Sequence, residues 1–111
     1  MGKPTPELLH GTLEALVLKT LTPGARHGYA IARAIEDATA KVVGVEDGSL
    51  YPALYRMEKK GWIEAEWGVS ELGRRAKLYR LTTKGRRQLA AQTAEWERFS
   101  AAISGVLLGT A

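Results

Sequence analysis

Apolar residues recur every three or four positions along "ELLHGTLEALVLKTL" at 7–21. Leu9, Leu13, Leu16, Val17 and Leu21 mark one helical stripe, which Leu8 and Leu18 widen. The spacing predicts a first helix opened by Pro6 and Glu7 and ended by the turn residues "TPGARHG" at 22–28. Tyr29, Ile31, Ala32 and Ile35 predict a shorter second helix, begun by His27, Gly28 and a partly buried Tyr29. The run "KVVGVEDG" at 41–48 combines a β-branched pair with glycine and reads as a loop with room for one bridge of strand.

A third helix follows in "GSLYPALYRMEKKG" at 48–61. Asp47 or Ser49 offers a capping oxygen, and Pro52 is placed in the first turn, where its missing N–H costs no helical bond. Gly61 ends this helix, and "WIEAEWG" then alternates Ile63, Ala65 and Trp67 against Glu64 and Glu66, the period of a half-buried strand. "VSELGRR" turns the chain, and "AKLYRLT" returns it with Tyr79 and Leu81 on one face. Thr82 or Thr83 caps a last helix over roughly 84–108. Within it Leu89, Thr93, Trp96, Ser100, Ile103 and Leu107 keep a four-three spacing, a heptad seam widened by Phe99 and Val106.

Helix, helix, helix, β-hairpin, helix predicts a mainly α fold with a small β-hairpin. This is a winged helix-turn-helix over 1–83 with a C-terminal dimerisation helix over 84–111, one compact unit suited to 111 residues. The segment "AAISGVLLGTA" at 101–111 is about half the length that crosses a bilayer. With no secretory leader pattern and no cysteine, the chain reads as soluble and cytoplasmic.

Charge sharpens this picture. The formal net charge is only +4, yet the window from Arg56 to Arg87 carries ten basic and four acidic residues, a local +6. A polyanion is the natural partner of such a concentration. On a wheel of the third helix, Leu50, Leu54 and Met57 form the core stripe. Ser49, Pro52, Arg56, Lys59 and Lys60 collect opposite, flanked by Tyr51 and Tyr55. Such a helix fits the major groove of double-stranded DNA, with Arg56 as base reader because a guanidinium bonds guanine bidentately. Ser49, Tyr51, Tyr55 and Lys59 suit phosphates, and Arg74, Arg75 and Lys77 suit a wing that follows the backbone or enters the minor groove. The plainer alternatives are a solvated basic face and, for the hairpin, cations that keep a sheet edge from pairing.

"LLHGTLEALVLKTL", "HGYAIARAIE", "GSLYPALYRMEKKGWIEAEWG" and "RRAKLYRLTTKGR", with the late Trp96, resemble the PadR family of bacterial transcriptional regulators, and above all its short members with one C-terminal helix. The resemblance runs from about Leu8 to Leu107. It implies a homodimeric repressor on a palindromic operator, with Ser49, Tyr51, Pro52 and Arg56 on the reading helix and Arg74, Arg75 and Lys77 on the wing. It also implies, for some members, flat aromatic or cationic drugs held between subunits by the Trp of the last helix, and hence for this chain a small aromatic or hydrophobic effector.

The seam agrees with a dimer, because Trp96, Phe99, Ile103, Val106 and Leu107 cannot be left bare on a single helix. Trp96 then either fills the interface or forms a stacking platform. In the second case Thr93, Ser100 and Ala102 leave room, and Leu9 or Leu13 forms a wall. Catalysis and cofactors find no support. His10 and His27 lack ligand-spaced partners, which argues against a metal site, and neither a phosphate-cradling glycine loop nor a serine elbow is present. The alternative from another class is a winged helix that docks an acidic protein without reading DNA sequence.

Overall fold

A computed structural model describes residues 11–109. The elements run α1 (Leu13–Thr20), β1 (Arg26–His27), α2 (Gly28–Ala38), α3 (Asp47–Lys59), β2 (Ile63–Val69), β3 (Arg75–Leu81) and α4 (Thr83–Leu107). α1 starts at Leu13, with Thr12 at its N-cap, and does not run on through Gly11 as the apolar spacing suggested. Gly11 and Thr12 are weak helix formers, so periodicity alone overstated the helix. Leu9 and His10 lie outside the described residues.

One apolar core joins the elements. Val17, Leu18 and Leu21 from the α1 segment meet Ile31 and Ile35 of α2, and Leu50, Ala53, Leu54 and Met57 of α3 close over them. Ile63 and Tyr79 seal the core from the sheet side. Each large aliphatic side chain buried there contributes about 1.5–3 kcal/mol.

The sheet has three strands in the order β1-β3-β2, all antiparallel. Arg26 and His27 pair with Tyr79 and Leu78, so the single strand bridge lies before α2, whereas residues 41–46 contain none. In that connection Ala40 and Lys41 take left-handed backbone angles, Lys41 N donates to the carbonyl of Glu36, and the Glu36 carboxylate accepts from Val45 N. Local β-branching hid this arrangement, which depends on a side chain nine positions away.

α3 differs from expectation at its start. Glu46 occupies the N-cap without a side-chain cap bond, and Asp47 is already helical, where its charge favours the positive end of the helix dipole. Pro52 therefore sits in the second turn and removes the bond its N–H would have made to Gly48. Gly48 is exposed, so water can serve that carbonyl. The far end matches the sequence reading. Gly61, at φ +76, donates to the Glu58 carbonyl while Trp62 N donates to that of Met57, a Schellman ending that turns the chain into β2.

α4 packs along α1 with Leu89 against the core, and its start is fixed at one tight point. The Thr82 hydroxyl accepts from Gly85 N at 3.0 Å and lies 2.6 Å from the Gly61 carbonyl and 2.9 Å from that of Trp62. Gly85 is buried, and a Cβ there would collide with the Trp62 carbonyl. Only glycine lets the last helix leave so close to the α3–β2 turn.

Candidate nucleic-acid interface

α3 turns Leu50, Ala53, Leu54 and Met57 inward and leaves Pro52, Tyr55, Arg56, Lys59 and Lys60 exposed, with Ser49 half-buried at the edge. At 100° per residue the outermost line is Pro52, Tyr55 and Lys59. The Lys59 ammonium lies 5.1 Å from the Tyr55 ring centroid. Arg56 stands on the flank nearer α1, with its Nε 4.0 Å from Glu14 Oε2.

The hairpin register places Trp67 opposite Lys77 and Val69 opposite Arg75, so these four side chains share a face with Tyr79. The Arg75 guanidinium lies 4.3 Å from the Trp67 ring centroid, and the Lys77 ammonium lies 5.5 Å from it. Lys77, expected on DNA, also makes a contact within the chain: its ammonium pairs with Glu58 of α3 at 3.2 Å. Its carbonyl is 2.8 Å from His27 Nδ1. A carbonyl only accepts, so that nitrogen carries a proton. Lys77 thus ties the wing to α3 and β1. Arg74 stands exposed in the turn, where its carbonyl accepts from Ser70 N.

Between α3 and the wing lies a cleft of about 480 Å³. All four tyrosines of the chain line it (Tyr29, Tyr51, Tyr55 and Tyr79), together with His27 and Trp67. Tyr29, expected to be partly buried, is 43% exposed and stacks parallel to His27 at 6.1 Å. The Tyr51 ring rests on Gly28, where a Cβ would come within 2.8 Å of it. Burial raises the Tyr51 hydroxyl above its ordinary pKa of 10.0, and Asp47 adds to the shift. Burial likewise raises Tyr79, helped by Glu58 and Tyr51. Both phenols are therefore protonated donors at neutral pH. His27, Tyr29, Glu58 and Trp67 escaped the sequence reading of the site. Trp67 carried a usable signal, since its strand parity matches that of Arg75 and Lys77 once the five-residue turn fixes the register.

α4 carries a series of exposed apolar side chains. Trp96, Phe99, Ile103, Val106 and Leu107 are exposed along α4, with the Trp96 and Phe99 rings 6.4 Å apart. Thr93 is exposed beside them, and Ser100 donates to the Glu97 carbonyl. Leu13, expected as a wall of an inter-subunit pocket, is 6% exposed and packed in the chain's own core. Leu9, the other candidate wall, lies outside the described residues. Among the described residues no cluster of three His, Cys, Asp or Glu could hold a metal ion, and no helix is long and apolar enough to cross a membrane.

Residues 17–91 match the model of the transcriptional regulator PadR-like family. The chain belongs to that family. A solved transcriptional regulator from Clostridium thermocellum superimposes on it with a TM-score of 0.84 at 27% identity, covering 92% of this chain and 99% of that one. A PadR-like transcriptional regulator from Bacillus cereus gives 0.78 at 30% identity over 95% of this chain and 100% of the other. An uncharacterized protein of Lysinibacillus sphaericus is 31% identical over 90 residues, 81% of this chain and 83% of its own. The four helices and three-stranded sheet of this PadR-like regulator are thus the winged-helix fold that the element order predicted.

Proposed function

We propose that this PadR-like chain acts as a homodimeric repressor that reads a palindromic operator in double-stranded DNA. One observation carries the reading: the Tyr51–Tyr55 flank of α3 and the cationic wing line a single cleft, with the exposed cations of α3 beside it. α3 enters the major groove, which admits one helix. Arg56 bonds a guanine edge, while Ser49, Tyr51, Tyr55 and Lys59 hold the phosphates beside it. Pro52 lies on the same outward line and keeps the helix surface low enough to approach the bases. Arg74 and Arg75 follow the adjacent backbone, and Lys77 fixes the angle between wing and reading helix.

The dimerisation segment expected over 84–111 is carried by α4, whose seam of Trp96, Phe99, Ile103, Val106 and Leu107 packs on a second copy. Two reading helices then face half-sites about one DNA turn apart. The exposed Trp96–Phe99 pair, with Thr93 and Ser100 nearby, supports a flat aromatic or hydrophobic effector at that interface that releases the operator.

Selection of bound duplexes from a random pool, followed by titration at several salt concentrations, tests the reading. The selected palindrome should bind at least about a thousandfold tighter than random duplex, with log K falling steeply with log salt. Arg56→Ala should erode discrimination between sequences, whereas Lys59→Ala should weaken all duplexes alike. A chain that docks an acidic protein instead would select no sequence from the pool.

A further inference from the structure

Glu14 occupies the first turn of α1, and its Oε2 is covered by neighbouring atoms without a hydrogen-bond partner among the described residues. A covered carboxylate oxygen left without a donor costs free energy. The cation within reach is Arg56, whose Nε is the guanidinium atom 4.0 Å away, on a side chain that stays 56% exposed. The closest approach is by the inner nitrogen, and at 4.0 Å it is an ion pair rather than a hydrogen bond, so Glu14 does not occupy the two terminal amino groups. Those two groups form the fork that bonds O6 and N7 of a guanine.

We infer that Glu14 is a positioning residue for DNA reading, its carboxylate holding Arg56 through Nε so that the fork is presented to a base. The inference rests on the DNA-reading function proposed above. A loose arginine can satisfy any nearby phosphate, which adds affinity without information. An arginine held from behind has fewer orientations to lose and rewards the one base edge that fits it. Glu14 therefore contributes to discrimination, while its negative charge slightly weakens binding to every duplex.

The test uses the full chain and a double-mutant cycle of Glu14→Gln, Arg56→Ala and the pair, with dissociation constants for the selected operator and for random duplex. Glu14→Gln keeps the size of the side chain and removes its charge. It should lower the operator-to-random ratio by about tenfold, mainly through weaker operator binding, the worth of a well-placed bidentate contact. In the Arg56→Ala background the same change should leave the ratio within about twofold. Equal tightening of both duplexes would make Glu14 a merely repulsive charge and overturn the inference. So would an undiminished loss in the Arg56→Ala background, or a lower Tm with an unchanged ratio.

Failure of the wild type to discriminate at all would refute the DNA reading itself. A separate arm reads the contact without DNA. The Arg56 Nε–H resonance of the free protein should shift when Glu14→Gln removes the neighbouring charge. An unchanged resonance removes the contact on which the inference stands.

Discussion

The reading side and the last helix of this chain treat their exposed groups in opposite ways. On α3 and the hairpin the prominent cations each have a neighbour: Arg75 and Lys77 share Trp67, Lys77 also holds Glu58, and Lys59 covers Tyr55. On α4, five large apolar side chains are exposed, with the Trp96 and Phe99 rings side by side. Exposed cation–π and ion pairs contribute roughly 0.5–1 kcal/mol apiece. Uncovered apolar surface forgoes about 25 cal/mol per Å². The first surface is therefore ordered before a partner arrives, while the second is left incomplete by a single chain.

The comparison breaks most completely at the joint between the two regions. Gly85→Ala forces a methyl group into the Trp62 carbonyl, and should destabilise the fold by about 3 kcal/mol, read as a lower urea midpoint. An unchanged midpoint would mean that α4 can tilt away without cost. Next in size is Ile103→Asp. Ile103 is exposed in the single chain, so the fold should survive. Light scattering should then report a single-chain mass, and operator affinity should drop about a hundredfold as paired half-site binding is lost. A retained dimer mass would place the interface elsewhere.

The smallest effect lies on the cleft side and in the alkaline range. The folded chain holds the Tyr51 and Tyr79 protons more tightly than the unfolded chain does. Stability from these groups is thus complete below about pH 10, and is lost as pH rises and the unfolded chain ionises first. Tyr51→Phe should flatten that alkaline loss in urea titrations at successive pH values. An equally steep loss in the variant would assign it to other groups.

Much of the fold was legible because its elements are periodic or punctuated. Gly61 stops α3, Thr82 caps α4, and the alternation from Ile63 to Trp67 forms β2, as their residue types require. What stayed hidden depends on partners distant in sequence. The β1 bridge exists because Tyr79 and Leu78 present a free edge to Arg26 and His27. Pro52 moved to the second turn because the helix began at Asp47, earlier than the cap chemistry of Ser49 suggested.

The site divides along the same line. Helical spacing identified the outward face of α3, since period alone decides it. The pairing of Lys77 with Glu58 and the approach of Arg56 to Glu14 span 19 and 42 positions. No local pattern encodes them. Leu13 was misplaced for a related reason: an apolar stripe does not say whether its own chain or another will cover it.

Thr82 has a consequence for how the molecule would respond to being gripped from behind. Its hydroxyl gathers the end of the reading helix, the start of the wing and the first turn of α4 at one atom, so these parts pivot together. α4 has 25 residues, about 37 Å of rigid rod at 1.5 Å per residue. In a pair joined along that rod, a few degrees of change in crossing angle swings each reader by several ångströms. In such a pair, a molecule wedged between the rods would alter the distance between the two heads.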